Sequence, residues 1–334
     1  MRTGALAFLA VAFGLIGAAA LSAQAPDSIE LAKERAAIAQ FQSLDKRLQD
    51  IGWRLVTANA PFCADAIPSI GLQLHDAAGY SSPATTRAAL GLNGEFAVQT
   101  AARGSPAAKT GEFARNREIT RLAGNPLSRW TAEARLDWRR LARAHSVIAT
   151  HLRYNQSIAF EFADGETVDV RPVMACPSKF ELTADGDLAL ADGERVVIGA
   201  GFGGFAYPDD QLAAAVAHEL AHNLLGHRAW LDHSGRSQRN VRKSEREADR
   251  LMPWLLANAG YDPAAAILFL ERYQPPSGAL LFFAGSHEKW SKRAERVGAE
   301  LPKIEAVRDS GGMADWAAHF DRETRAVNTV NSPD

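Results

Sequence analysis

The chain has 334 residues, enough for two domains, and its 47% hydrophobic and 23% charged residues form an ordinary globular composition. This composition excludes a fully disordered chain. The formal net charge of -2 gives no reason to expect a nucleic acid or an anionic membrane surface as a partner.

The first segment, residues 1–23, has the pattern of an export signal. Arg2 is followed by an alanine-rich apolar run from Ala5 to Leu21, and cleavage is expected after Ala23. The run also approaches spanning length, so an uncleaved N-terminal anchor stays open. No later segment is apolar enough to cross a membrane. We therefore expect an exported, soluble protein, in a bacterial periplasm, with no stable membrane span after cleavage.

A long N-terminal helix is predicted within residues 27–60. Apolar residues recur there at three- and four-residue intervals from Ile29 to Ile51. The helix carries no residues that suggest chemistry, and we expect it to pack on a domain. The only two cysteines, Cys63 and Cys176, can form a disulfide in an oxidising compartment. Two free, buried thiols are the alternative.

Residues 61–180 contain short predicted strands separated by glycine-rich turns. Residues 104–111 are Gly-Ser-Pro-Ala-Ala-Lys-Thr-Gly, between a strand at 95–99 and one at 119–122, and a helix is predicted from Ser128 to His151. This stretch resembles bacterial PDZ domains. Asn116-Arg117 stands where that family has Gly-Asp, but asparagine tolerates a left-handed backbone, so the turn can survive.

The PDZ resemblance implies a peptide-binding groove near Gly71. A PDZ groove adds a C-terminal peptide to its sheet as an extra strand. A module that only packs against the rest of the chain, and binds nothing, is equally compatible with the sequence. The stretch Gly199–Gly204 formally contains G-x-G-x-x-G, but no βαβ unit surrounds it, which excludes dinucleotide binding.

The strongest chemical signal is His218-Glu219-Leu220-Ala221-His222, an H-E-x-x-H motif in a predicted amphipathic helix. Histidines four residues apart stand on one helix face, where both can bind one zinc ion. Glu219 lies about 100° round the helix from His218, so its carboxylate can reach a metal-bound water instead of the metal. Zinc-polarised water beside a carboxylate base can hydrolyse an amide at neutral pH.

A second helix, predicted to begin near Lys243, supplies acidic residues. We expect Ser244 to be its N-cap, with Glu247 as the capping-box partner. Glu245 and Asp249 are four residues apart on one face. Glu245 can be the third metal ligand, and Asp249 can accept the free ring N–H of a ligand histidine. A solvated acidic face would be the alternative if the H-E-x-x-H motif were absent.

Together, the H-E-x-x-H motif and Glu245-x-x-Ala248-Asp249 resemble the gluzincin metallopeptidases of peptidase family M-48, with its HtpX-like and Ste-type members. The resemblance implies one Zn²⁺ per chain, bound by His218, His222 and Glu245, with Glu219 as the base and Asp249 behind the ligands. It also implies that the strand Arg195–Ile198 edges the cleft and pairs with substrate backbone.

Two further histidines, His227 and His287, are candidates for the site. His227 rivals Glu245 as third ligand, but its spacing and the glycine offset differ from those of metzincins, so we expect it just past a helix C-cap at Gly226 and not on the metal. Gly285-Ser286-His287 and Arg293 are similar to the family's downstream loop. His287 can stabilise the oxyanion or cap the metal, or be an ordinary surface histidine. Arg293 is expected to be structural.

These patterns predict an α+β protein with a mostly helical zincin domain over residues 181–327, behind the PDZ-like domain, and a disordered tail at 328–334. The predicted function is a zinc-dependent endopeptidase that cleaves peptides or unfolded proteins of the cell envelope. The alternative is a latent or non-catalytic zinc-containing chaperone or binding protein, regulated through the PDZ-like module. The intact base Glu219 favours the enzyme.

Overall fold

The computed structural model describes residues 28–134, 136–273 and 290–324, and it is an α+β structure. The predicted signal segment at residues 1–23, His287 and the tail at 328–334 lie outside these residues. The helices of the described residues are α1 Ser28–Ala58, α2 Pro83–Leu90, α3 Pro106–Thr110, α4 Arg139–Tyr154, α5 Asp209–Leu224, α6 His227–Ser234, α7 Gln238–Asn258, α8 Ala265–Arg272, α9 Trp290–Gly298, α10 Leu301–Gly311 and α11 Trp316–His319.

The strands within the described ranges form four small sheets. Their bounds are β1 Ile67–Ser69, β2 Leu72–Asp76, β3 Phe96–Ala101, β4 Ile119–Leu122, β5 Asn125–Pro126, β6 Ile158–Phe162, β7 Thr167–Val170, β8 Val173–Ala175, β9 Lys179–Thr183, β10 Ala189–Ala191 and β11 Arg195–Gly199. β1 pairs with β8, and β2 pairs with β3. The other sheets have the orders β5-β4-β6-β7 and β10-β11-β9.

The buried apolar residues form two clusters, and α1 contacts both. One cluster draws its residues from 70–170, and the other combines α1 with residues from 175 to the C-terminal helices. α1 packs against β3 of the first cluster and against β9 and α5 of the second. Buried Leu48 and Leu55 supply the apolar contacts of α1 with the second cluster, as its three- and four-residue periodicity predicts.

The turn at Asn116 has the left-handed backbone that the sequence allows there. Asn116 has φ 64°, in the left-handed region that asparagine tolerates. Its side-chain oxygen accepts a hydrogen bond from Gln42 of α1 at 2.7 Å. The short helix α3 begins at the N-cap Ser105, whose hydroxyl accepts from the N–H of Ala108, and ends at left-handed Gly111.

Two helix starts were predicted wrongly. α4 begins at Arg139 instead of Ser128, because residues 127–129 form only a 3-10 turn and Asp137 accepts hydrogen bonds from the N–H groups of Glu133 and Arg139. α7 begins at Gln238 behind the N-cap Ser237. Ser244 is therefore inside the helix, and its hydroxyl donates to the carbonyl of Val241 at 2.8 Å. α7 also includes Pro253 without ending there.

Within residues 28–134, 136–273 and 290–324, no helix combines the length and the apolar character that crossing a membrane requires.

Cys63 and Cys176 form a disulfide across 113 residues of sequence. In the chain-entropy model a loop of this length stabilises the folded state by about 4–5 kcal/mol. Replacing both cysteines with alanine should therefore lower the free energy of unfolding by about this amount, measured by urea unfolding at neutral pH. Reduction of the unaltered protein should have the same effect. Equal stability of the oxidised protein and the double variant would contradict this prediction.

Candidate metal centre

Helix α5 presents its two histidines to the protein interior. Its residues from Leu212 to His222 are all buried, with Asp209 and Asp210 in the first turn, where negative charge favours the helix. The Nε2 atoms of His218 and His222 lie 3.2 Å apart. The two ring nitrogens can therefore direct their lone pairs at the same metal position.

Glu245 of α7 completes a three-atom cluster with these histidines. Its Oε2 lies 3.4 Å from Nε2 of His218, and its Oε1 lies 3.6 Å from Nε2 of His222. Zn–N and Zn–O bonds of about 2.0–2.1 Å in a tetrahedron place neighbouring ligand atoms about 3.3–3.4 Å apart. The 3.2 Å between the two Nε2 atoms and the 3.4 Å from Nε2 of His218 to Oε2 of Glu245 are close to such edges, so the three side chains could hold a metal ion.

The donor set and its burial also fit a divalent cation. The three side chains are 1–8% exposed, so a cation held among them would be shielded from water. Two imidazoles and one carboxylate are typical of catalytic zinc sites, which leave one coordination position open. Hydrogen bonds to Asp249 and Glu245 outweigh burial and raise the pKa of His218 to about 10. The same negative charges attract a metal cation.

Glu219 lies beside the cluster without contributing to it. It is 1% exposed, and neither carboxylate oxygen has a hydrogen-bond partner in the described part of the chain. Burial raises the pKa of Glu219 to about 7, with a smaller increase from Glu245 that the charge of His218 opposes. A carboxylate with this pKa can take up and release a proton near neutral pH.

Asp249 lies behind His218, as predicted. Its Oδ1 is 3.1 Å from Nδ1 of His218. Arg293 of α9 binds both oxygens of Asp249, with distances of 2.6 and 2.7 Å. Although burial raises the pKa of Asp249, the Arg293 guanidinium holds it well below its usual range. Arg293, which is expected to be structural, therefore keeps the Asp249 carboxylate ionised. That carboxylate in turn orients His218.

The sequence interpretation missed the contacts of His227. The residue follows the left-handed Gly226, as predicted, but it is 1% exposed and reaches the back of a ligand. Its Nδ1 lies 3.0 Å from Nδ1 of His222, and its Nε2 lies 2.9 Å from Oε2 of Glu247. Because it faces Nδ1 and not Nε2 of His222, His227 does not point at the metal position.

Glu247 was expected to cap α7 but is buried inside it. One signal was available: in Glu245-Arg246-Glu247-Ala248-Asp249 the three acids alternate, which puts Glu247 about 200° round the helix from Glu245. A helix with acidic residues on two opposite buried faces contacts polar groups on both sides. His287 lies outside the described residues, so its position relative to the site is not described.

The strand at the cleft was predicted wrongly. β11 is the central strand of its sheet, paired with β10 on one side and β9 on the other. Its backbone is therefore not available to a substrate, whereas β10 is an outer strand of this sheet. Asn223 accepts a hydrogen bond from the N–H of Gly193 at 2.8 Å, which fixes the β10–β11 turn beside His222.

A small cavity opens between this turn and helix α6. Its lining includes Ala191, Gly193, His222, Arg228 and Arg236. Ala191, at the end of β10, and the candidate ligand His222 both line this cavity, so the strand ends beside the site. The residues that come together at the site thus include the cluster His218, His222 and Glu245, with Glu219 and Asp249 around it.

Comparison with known proteins adds one relative. The mitochondrial metalloendopeptidase OMA1 of Schizosaccharomyces pombe is 29% identical over 133 residues, which is 30% of this chain and 40% of the relative. The match therefore spans well under two thirds of the relative's length. No protein-family model and no solved structure matches the chain.

Proposed function

We propose that this protein is an exported zinc-dependent endopeptidase of the gluzincin type. The observation that carries the proposal is the convergence of His218, His222 and Glu245 beside Glu219, a buried carboxylate whose oxygens have no partner among the described residues. A site that only stabilises the fold has no need of such a base. The partial similarity to a metalloendopeptidase agrees with this chemistry.

In the proposed reaction, His218, His222 and Glu245 would hold one zinc ion. A zinc ion in that position supplies a Lewis acid that polarises a peptide carbonyl and lowers the pKa of water. Glu219 takes the proton of the attacking water and then passes it to the leaving amide nitrogen. Burial raises the pKa of the Glu219 carboxyl above its ordinary value, which favours its taking up a proton.

We assign substrate backbone binding to β10 instead of β11. An extended peptide can pair with the outer edge of a sheet, and the end of β10 lies beside His222. Such pairing recognises main-chain groups, which suits unfolded or misassembled proteins of the cell envelope as substrates. Export is supported by the signal pattern of residues 1–23 and by the Cys63–Cys176 disulfide, which persists in oxidising compartments.

The PDZ-like reading of residues 61–180 remains part of the proposal, with a C-terminal peptide near Gly71 as the candidate ligand. In the structure, the backbone N–H of Leu74 faces Nε2 of His145 at 3.5 Å. A peptide that adds to β2 at this position must therefore displace His145. In the alternative function, a latent or non-catalytic binding protein regulated through this module, the regulatory peptide would bind at the same position on β2.

Removal of the metal tests the proposal. A chelator should abolish cleavage of casein by the purified protein, and one equivalent of Zn²⁺ should restore it, because the Lewis acid is lost and regained. Mg²⁺, which prefers oxygen ligands, should not restore cleavage. Cleavage that persists in fully metal-free protein would refute the mechanism. A zinc-loaded protein that cleaves nothing would favour the binding-protein alternative.

A further inference from the structure

A chain of buried polar groups leads from the back of His222 to the C-terminal segment. Nδ1 of His222 lies 3.0 Å from Nδ1 of His227, and Nε2 of His227 lies 2.9 Å from Oε2 of Glu247. His227 and Glu247 are 1% and 0% exposed, so water does not compete for these contacts. Neither residue belongs to the candidate ligand set.

The donors around Glu247 keep it ionised. Its Oε1 accepts hydrogen bonds from Nε of Arg322 at 3.1 Å, from the N–H of Thr324 at 2.9 Å and from the N–H of Glu323. The Thr324 hydroxyl donates to Oε2. Besides His227, four donors occupy its two oxygens, so the Glu247 carboxylate has no position left for a proton of its own. Glu247 is therefore a fixed acceptor.

A fixed acceptor at Glu247 determines the proton positions on both histidines. A carboxylate only accepts, so Nε2 of His227 must carry a proton and donate it. In neutral His227, Nδ1 is then an acceptor, and the facing Nδ1 of His222 must be the donor. The Nε2 of His222 is left unprotonated, with its lone pair toward His218 and Glu245.

We propose that His227 and Glu247 are positioning residues that select the metal-binding tautomer of His222. This inference rests on the proposed metal site. His218 has a direct carboxylate partner in Asp249, whereas His222 is oriented through an intervening imidazole. Arg322 also donates to the carbonyl of Leu225 at 2.8 Å, at the C-cap of α5, so the segment 322–324 fixes both the carboxylate and the helix end.

Replacing Glu247 with glutamine should reverse the donor and acceptor roles in the hydrogen bonds that join residue 247, His227 and His222. Three donors converge on Oε1, so the amide oxygen takes that position and the amide NH₂ faces His227. Nε2 of His227 must then accept, its Nδ1–H donates to Nδ1 of His222, and the proton of His222 moves to Nε2. That proton occupies the lone pair that a metal needs. The affinity for Zn²⁺ should fall by about 10–100-fold.

The experiment uses the full chain and compares Glu247→Gln with Glu323→Gln. The control makes the same chemical change in the neighbouring segment, where Glu323 pairs with Arg246 and Arg250 at the surface. The proton positions of His222 and His227 are read from ¹⁵N NMR of the metal-free proteins, and Zn²⁺ dissociation constants come from chelator competition. A merely structural role for Glu247 would not exchange the proton between the two ring nitrogens of His222.

The expected result is Nδ1–H on His222 in the parent and in Glu323→Gln, and Nε2–H in Glu247→Gln, with weaker zinc binding only in the last. Unchanged tautomers or an unchanged zinc affinity in Glu247→Gln would overturn the inference. If Glu247→Gln does not fold, His227→Phe tests it, because loss of the acceptor for Nδ1 of His222 should also weaken zinc binding about 10–100-fold. If the parent binds no zinc, the proposed metal site is refuted. The tautomers of the metal-free proteins would still test whether His227 and Glu247 set the proton position on His222.

Discussion

Replacing Glu219 with glutamine should lower the rate of peptide cleavage by about 10²–10⁴-fold and leave the zinc content unchanged. The magnitude is that of losing general acid–base catalysis. Glutamine has nearly the shape of glutamate, but its amide cannot take the proton of the attacking water. The described structure shows no hydrogen bond to either oxygen of Glu219, so the substitution removes no hydrogen bond of the fold.

The measurement is initial cleavage rate at equal concentrations of folded protein, with thermal unfolding as the check on folding. Glu219→Gln should unfold no earlier than the parent, because burial already raises the pKa of Glu219 and disfavours its charge. Turnover equal to that of the parent would show that Glu219 is not the base. A parallel loss of zinc would mean that Glu219 holds the metal.

Replacing Arg293 with methionine should produce the largest loss of stability among single substitutions at the site. Arg293 is 3% exposed and Asp249 is 1% exposed, and the guanidinium binds both carboxylate oxygens. Removing one partner of a buried ion pair costs about 3–5 kcal/mol, and Asp249 would keep only its contact with His218. Asp249 would also lose the cation that holds its pKa low.

A matched control is Arg246→Met. Arg246 lies on α7 and pairs with Glu323, and both side chains are more than a quarter exposed. Its loss should cost about 0–1 kcal/mol, as for surface pairs. Urea unfolding of both variants in the presence of a chelator removes the contribution of bound metal. Equal free energies of unfolding for the two variants would contradict the role assigned to the buried pair.

Local helical geometry explains why much of the site was predictable from sequence. A four-residue spacing places His218 above His222, and the same spacing places Glu245 above Asp249, whatever the rest of the fold does. Residue chemistry then suggests which pair binds metal and which residue supports it. The structure brings these four residues together with the expected neighbours.

Tertiary pairing explains what was missed. The contact of His227 with Glu247 joins two helices, and the donors to Glu247 come from residues 322–324, about 75 positions later. Nothing in local spacing indicates such a pairing. The position of β11 was misjudged for the same reason, since a strand becomes central or outer only when its partners are known. β9, which pairs with it, had not been recognised as a strand.

Turn chemistry explains the misplaced helix starts. Ser244 has the residue type of an N-cap, yet Ser237 caps α7 instead, and the first turns of the helix have few apolar residues to reveal them. Likewise, the break before α4 depends on Asp137, whose carboxylate binds backbone N–H groups, and on left-handed Leu136. Leucine is rarely found in that backbone region, so residue preferences could not have predicted it.

The most direct test of the central claim is zinc content and casein cleavage, measured side by side on the full chain and on Glu219→Gln. The expected result is one zinc per chain in both proteins, with cleavage only by the parent. One zinc in both and equal cleavage by both would contradict the role of Glu219. No zinc in either protein would contradict the metal site formed by His218, His222 and Glu245.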